Sequence, residues 1–199
     1  MADSKSLILI TKLLNKHKMV LAHGRRVAGF ACAIAGEMKY CGKAVEHIRF
    51  AAVVHDIGKT RLPPEIINKT GPLDEKERVL IRQHPEEGYR LLRAVRSDPV
   101  VAEVALQHHE RLDGSGYPFG LRAEDINPVA KIVAVADVIA TMVFPQVYRP
   151  ALSVNKAREE IAQNCGLLYD PEVVAVSMLL LERKDSVFEA SYPDSGEVI

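Results

Sequence analysis

Five stretches of the chain place an imidazole or a carboxylate where the surrounding pattern runs apolar. His23 lies one turn before Val27, Ala31 and Ile34 on one helical stripe, and His55 follows Val45, Ile48 and Ala52. His108 follows Val101, Val104 and Ala105, and Asp137 follows Ala130, Val133 and Ala134. His84 closes a fifth segment, while Asp56 and His109 adjoin His55 and His108. A single inward histidine is usually a hydrogen-bonded core residue, and adjacent histidines occur by chance at helix ends. Here every one of those readings would have to hold at once. Asp137 resists most, because "NPVAKIVAVADVIATMV" is apolar on nearly every side. A lone buried carboxylate is costly and normally neutralises.

A metal centre accounts for the whole set. Imidazole and carboxylate donors together suit Fe, Mn, Zn or Ni. The candidate ligands are His23, His55, Asp56, His84, His108, His109 and Asp137. An open single-metal site takes about three or four protein ligands, so this number points to two divalent ions. Two ions about 3.5–4 Å apart would clamp an in-line phosphoester displacement by hydroxide. Asp56 has two oxygens beside a ligand histidine and is the natural bridge. Lys59 admits two readings: an ordinary charge at a helix C-terminus, or a phosphate anchor one turn beyond His55 and Asp56. His17 and His47 lie off the stripes and read as solvated.

The elements that must position these groups read as helices almost throughout. "VAGFACAIAGEM" is one helix face with Gly42 as its stop, and "KAVEHIRFAAVVHD" is a second, ended by Gly58. "RLPPEIINK" is a turn with room for a short helix after Pro63 and Pro64. "LDEKERVLIRQH" opens with acids in its first turn and is broken by Pro85 after His84. Caps at Asp98, Asn127, Ser153 and Asp170 start four more helices, three of them with proline next. No alternating strand pattern, tandem repeat or low-complexity segment is evident. The stretch from Arg111 to Asn127 is the one long loop, and its Gly, Tyr and Pro content favours an ordered one.

The chain has 199 residues, enough for one domain, or one domain with a short appendage. Its formal net charge is zero, which leaves no global footprint for a nucleic-acid polymer or an anionic membrane. Cys32, Cys41 and Cys165 form no CxxC pair, and their odd number argues against a disulfide framework. A reducing compartment, the cytoplasm, is the simplest expectation. The apolar run near the start is too short for a membrane span or a signal-peptide core. The expected organisation is a lead-in over 1–20, a domain over 21–184 and a tail over 185–199.

"HDIGK" at 55–59 resembles the signature of the HD superfamily of metal-dependent phosphohydrolases. "HHERLDGSGYP" at 108–118 resembles the longer and more specific signature of its HD-GYP branch. The likeness runs from about His23 to Leu181 and includes "IRQHPEEGYRLL" and "KIVAVADV". It implies an all-α bundle with an ordered loop, carrying "GYP", over a dinuclear site. It implies hydrolysis of cyclic di-GMP, a bacterial second messenger, to the linear dinucleotide or GMP, with iron or manganese as the common metals. By position, His23, His55, Asp56 and Asp137 would hold one metal, and Asp56, His84, His108 and His109 the other. Lys59 would contact phosphate and assist leaving-group protonation. Gly116, Tyr117, Pro118 and Arg149 would face the nucleotide, with Gly114 and Gly116 letting the loop come close to it.

The chain departs from the branch in two places. Some members bind a third metal through a Glu four residues before the first His; Met19 stands here, so two metals are expected. Members commonly carry an acidic residue and then "RPYR" after the last ligand. This chain has "DVIATMVFPQVYRPAL", with Ala140 at the acidic position, and Gln146 and Val147 in place of the Arg and Pro. A neutral amide cannot supply the bidentate charge of that Arg. The resemblance therefore admits an alternative: a metal-binding, weakly active module that contacts signalling proteins such as diguanylate cyclases. A third option, a phosphohydrolase for another nucleotide, fits the complete "GYP" signature less well.

Overall fold

The computed structural model describes residues 4–145 and 150–183. Gln146, Val147 and Arg149 lie outside the described residues, as does the tail expected over 185–199. The described chain is helical and contains no β-strand. Its helices are α1 (Ser4–Lys16), α2 (Lys18–Glu37), α3 (Lys43–Val54), α4 (Pro64–Ile67), α5 (Glu75–Ile81), α6 (His84–Ala94), α7 (Pro99–Gln107), α8 (Pro128–Val143), α9 (Val154–Gln163) and α10 (Pro171–Glu182). A 3₁₀ turn, Ile57–Arg61, follows α3.

The expected caps form. Asp98 accepts from the N–H of Val100, Asn127 from Val129, Ser153 from Lys156, and Asp170 from Glu172 and Val173. Each satisfies amides that a helix start leaves unpaired. Asp74 and Glu77 add a reciprocal capping box at α5.

The core lies where α2 packs against α3 and α8, and where α7 packs against α3 and α6. Val27, Ala31, Ile34, Ile48, Ala52, Val104, Ala105, Ala130 and Val133 are all buried there. Small residues let the backbones approach: a Cβ on Gly24 would overlap the carbonyl of Val53. Ile10 and Leu14 of α1 join the same core. Ala140 is also fully buried, packed where an acid would need a partner.

Four expectations need correction. Gly42 does not stop α2, which ends at Glu37; Gly42, at φ 54°, instead caps the start of α3, and Lys39 takes the left-handed turn at φ 65°. Gly58 does not terminate α3 but sits inside the 3₁₀ turn. It is glycine because a Cβ there would collide with the carbonyl oxygen of His84 and the amide of Gly88. Pro85 does not merely break a helix, since it stands in the first turn of α6, where a missing N–H costs nothing. His17 and His47 are half-buried rather than solvated.

Candidate metal centre

Helix packing brings the seven candidate ligands to one place. His23 comes from α2, His55 and Asp56 from the junction of α3 with the 3₁₀ turn, and His84 from the start of α6. His108 and His109 follow α7, and Asp137 lies mid-way along α8. Asp56, His84, His108 and His109 each offer a ligand atom, all within 4.8 Å of one another. His23, His55 and Asp56 form a second such group. Asp137 Oδ1 joins that group at 2.8 Å from His23 Nε2 and 3.9 Å from His55 Nε2.

Asp56 belongs to both groups, and its oxygens divide between them. Oδ1 lies 3.1 Å from His84 Nε2 and 3.7 Å from His108 Nε2. Oδ2 lies 3.5 Å from His55 Nε2, 3.7 Å from His23 Nε2 and 2.6 Å from Lys59 Nζ.

The backbone fixes how three of the imidazoles point. Nδ1 of His55 lies 2.7 Å from the carbonyl of Ala52, and Nδ1 of His84 lies 2.7 Å from that of Ile81. Nδ1 of His108 lies 3.0 Å from the carbonyl of Ala105. A carbonyl only accepts, so each Nδ1 carries the proton and donates. In the neutral ring Nε2 is then a bare lone pair facing the centre. Nε2 of His84 and Nε2 of His108 consequently meet at 3.2 Å, lone pair to lone pair. Nε2 of His55 and Oδ1 of Asp56 are buried without hydrogen-bond partners among the described residues. Donors that converge with nothing between them to accept fit divalent cations, and the nitrogen and oxygen mixture fits the Fe, Mn, Zn and Ni class.

Electrostatics keep four of the donors in the required states. Burial pushes His108 down to about 4, with the nearby His55 and His84 adding to the effect. Burial likewise holds His109 well below the ordinary histidine value, helped by His108 and His84. Burial would raise Asp56, but Lys59 and His55 hold it well below the usual carboxylate range. Asp137 is held low against its own burial, chiefly by His23. His55 is the exception: burial lowers it, yet Asp56 and Asp137 together bring it above 6.5.

A pH dependence follows for the metal-free protein. Unfolded, His108 titrates near 6.5; folded, it titrates near 4. Its stabilising contribution is complete above 6.5 and is lost as pH falls toward 4, because only the unfolded chain takes up the proton. His109 acts in the same sense and His55 in the opposite one. The thermal midpoint of metal-free protein is expected to drop between about pH 7 and about pH 5, and His108→Gln to flatten that slope. An equally steep profile in the variant would show that the slope originates elsewhere.

Access is uneven within the site. His84 and His108 are 1% and 0% exposed, whereas His23 and Lys59 retain 18% and 30%. Solvent therefore reaches the site beside His23, Asp137 and Lys59, and also at the half-buried His109. The Arg111–Asn127 loop lies against His109 of the second group. Tyr117 stacks on His109, with centroids 4.6 Å apart and planes 22° apart, and the Arg82 guanidinium lies over the Tyr117 ring at 5.4 Å. Pro118 follows through a cis peptide.

Gly116 packs against the chain itself. A Cβ there would strike the backbone of Glu110 and Arg111, so its role in this structure is close packing of the loop on its own helix end. Gly114, at φ 82°, supports a turn facing Gly120. Sequence reasoning missed Glu110, which is 2% exposed yet outside both donor groups. Its carboxylate accepts from the amides of Phe119 and Leu121 at 2.8 and 3.0 Å. The available signal was a carboxylate directly after the paired histidines and just before a long loop.

Helices converging on clustered histidines and aspartates that could hold metal, with "HD" at the junction of two of them, define a helical protein of HD type. The chain belongs to the HD-domain family, whose model matches residues 8–173, and its "HHERLDGSGYP" assigns it to the HD-GYP branch. It is 42% identical over 165 residues to a cyclic di-GMP phosphodiesterase of Thermotoga maritima, covering 81% of this chain and 44% of that one. It is 36% identical over 157 residues to 3'3'-cGAMP-specific phosphodiesterase 1 of Vibrio cholerae, covering 77% of this chain and 36% of that one. This chain spans about two-fifths of the length of curated relatives that it matches. Among solved structures, an HDG"Y"P protein from Bdellovibrio bacteriovorus superposes with TM-score 0.69 at 21% identity, over 82% of this chain and 52% of that one. The HD domain of the Listeria monocytogenes phosphodiesterase PgpH, in complex with cyclic-di-AMP, superposes with TM-score 0.66 at 18% identity, over 95% and 99%. No helix among the described residues is long and apolar enough to cross a membrane.

Proposed function

We propose that this chain is a dinuclear-metal phosphodiesterase domain that hydrolyses a cyclic dinucleotide, with cyclic di-GMP as the first candidate. The observation that carries this reading is the pair of donor groups sharing Asp56, in which His55 Nε2 and Asp56 Oδ1 are buried without hydrogen-bond partners among the described residues. His23, His55, Asp56 and Asp137 would hold one ion, and Asp56, His84, His108 and His109 the other. The ions, iron or manganese in preference to zinc or nickel, would supply Lewis acidity toward a phosphoester and toward water.

The chain's own residues do the rest. Fixed Nδ1 donors hold the imidazoles in place without reorganisation. Lys59, on the open side, presents an ammonium to a phosphate and can yield a proton to a leaving oxygen. Tyr117 stacks on His109 and covers one face of that imidazole. The relatives named for cyclic di-GMP and for 3'3'-cGAMP support the substrate class and leave the choice between bases to the pocket rim.

The test is metal analysis of the purified protein together with product analysis on cyclic di-GMP, 3'3'-cGAMP and cyclic-di-AMP. Two equivalents of Fe or Mn, with release of linear dinucleotide or GMP, is the expected result. Two metals with no turnover of any of the three would overturn the catalytic reading and favour a module acting through signalling proteins. Absence of bound metal would overturn the metal centre itself.

A further inference from the structure

Glu110 is a buried carboxylate beside two candidate ligands, yet it is not one of them. Both of its oxygens are already committed to backbone amides, Oε1 to Phe119 and Oε2 to Leu121. Those amides belong to the far arm of the loop, nine and eleven residues on. Between them and Glu110 lies Tyr117, whose amide donates to the carbonyl of His109 at 3.3 Å and whose ring stacks on the His109 imidazole. Arg111 secures the same helix end by donating to the carbonyls of His108 and Glu110. Gly116 lets this arm lie against Glu110 with no side chain between.

We infer that Glu110 is a positioning residue: by gripping the amides of Phe119 and Leu121 it holds Tyr117 flat on His109 and so fixes that imidazole toward the second donor group. Its effect on metal binding rests on the metal-centre reading proposed above; its effect on the loop does not. A carboxylate suits the task because one residue can satisfy two buried amides, and charge-assisted hydrogen bonds are the stronger kind. Glutamine offers a single acceptor and would turn its NH₂ toward the other amide. Alanine offers none.

The experiment compares wild type with Glu110→Gln, Glu110→Ala and Gly116→Ala, each checked for wild-type helicity by circular dichroism. The first readout is limited trypsin cleavage of metal-free protein after Arg122, an exposed loop arginine. Cleavage should accelerate in the order wild type, Glu110→Gln, Glu110→Ala. Gly116→Ala, which keeps the carboxylate but wedges the arm away, should behave like Glu110→Ala. The second readout is Mn(II) titration, in which the weaker of the two binding steps should lose about 10-fold in affinity. Unchanged cleavage in both Glu110 variants would overturn the grip on the loop. A loosened loop with unchanged Mn(II) binding would overturn the link to His109. If wild type itself binds no Mn(II), the metal-centre reading fails while the cleavage order still tests the loop.

Discussion

Asp56→Ala is expected to empty both donor groups and to reduce phosphodiester hydrolysis by at least about a thousandfold. Each of the other six candidate ligands serves one group, so its loss leaves the other intact. Asp56 alone is shared: Oδ1 faces His84 and His108, and Oδ2 faces His55 and His23. Its removal also leaves Lys59 without the carboxylate that it contacts at 2.6 Å and leaves the five imidazoles with one fewer negative charge among them. Both ions should therefore be lost, and lost together. The measurement is metal content alongside turnover, with Asp56→Asn as the isosteric companion to separate lost ligation from lost packing. Asn keeps one oxygen, so it should retain metal at one group or neither, never at both. A His84→Ala variant provides the contrast, with one ion lost and the other retained. Full metal content and activity in Asp56→Ala would remove the bridge from the argument.

Much of this site was legible in the sequence because its donors sit on regular helices. A helix repeats about every 3.6 residues, so an imidazole in register with Val27, Ala31 and Ile34 must face the core with them. That logic finds His23, His55, His108 and Asp137, and the structure gathers those residues. It works less well where helices end. His84 reads as the last residue of a helix stopped by proline, whereas it is the first residue of the next one. Gly58 reads as a stop signal, but its position depends on the carbonyl of His84, a contact that no local pattern encodes. Glu110 was the least legible. Its partners are two loop amides, and backbone donors leave no trace in the residue types around them. The packing of Gly116 was hidden for the same reason: the backbone it approaches is that of Glu110 and Arg111, visible only after folding.

Lys59→Met is expected to separate catalysis from metal binding. Lys59 has two readings in the sequence, a helix-end charge or a phosphate anchor, and the structure places its Nζ 2.6 Å from Asp56 Oδ2 on the open side of the site. A helix-end charge is worth a fraction of a kcal/mol and is replaceable by any cation. A phosphate anchor is not, because it must reach the negative charge that grows on the transferring group. Methionine preserves the aliphatic stem and its packing while removing the ammonium. Turnover should fall by about 10² to 10³-fold, mostly in kcat, with both ions retained. Lys59 also holds the pKa of Asp56 down. In metal-free Lys59→Met, Asp56 should therefore protonate at higher pH, and metal uptake should weaken on the acid side only. Arginine should restore that acid-side behaviour, since it restores the charge, but only part of kcat, since it is effectively always protonated and cannot yield a proton to the leaving oxygen. Equal turnover in Lys59→Arg and wild type would reduce Lys59 to a fixed charge. Wild-type turnover in Lys59→Met would return it to the plain helix-end reading.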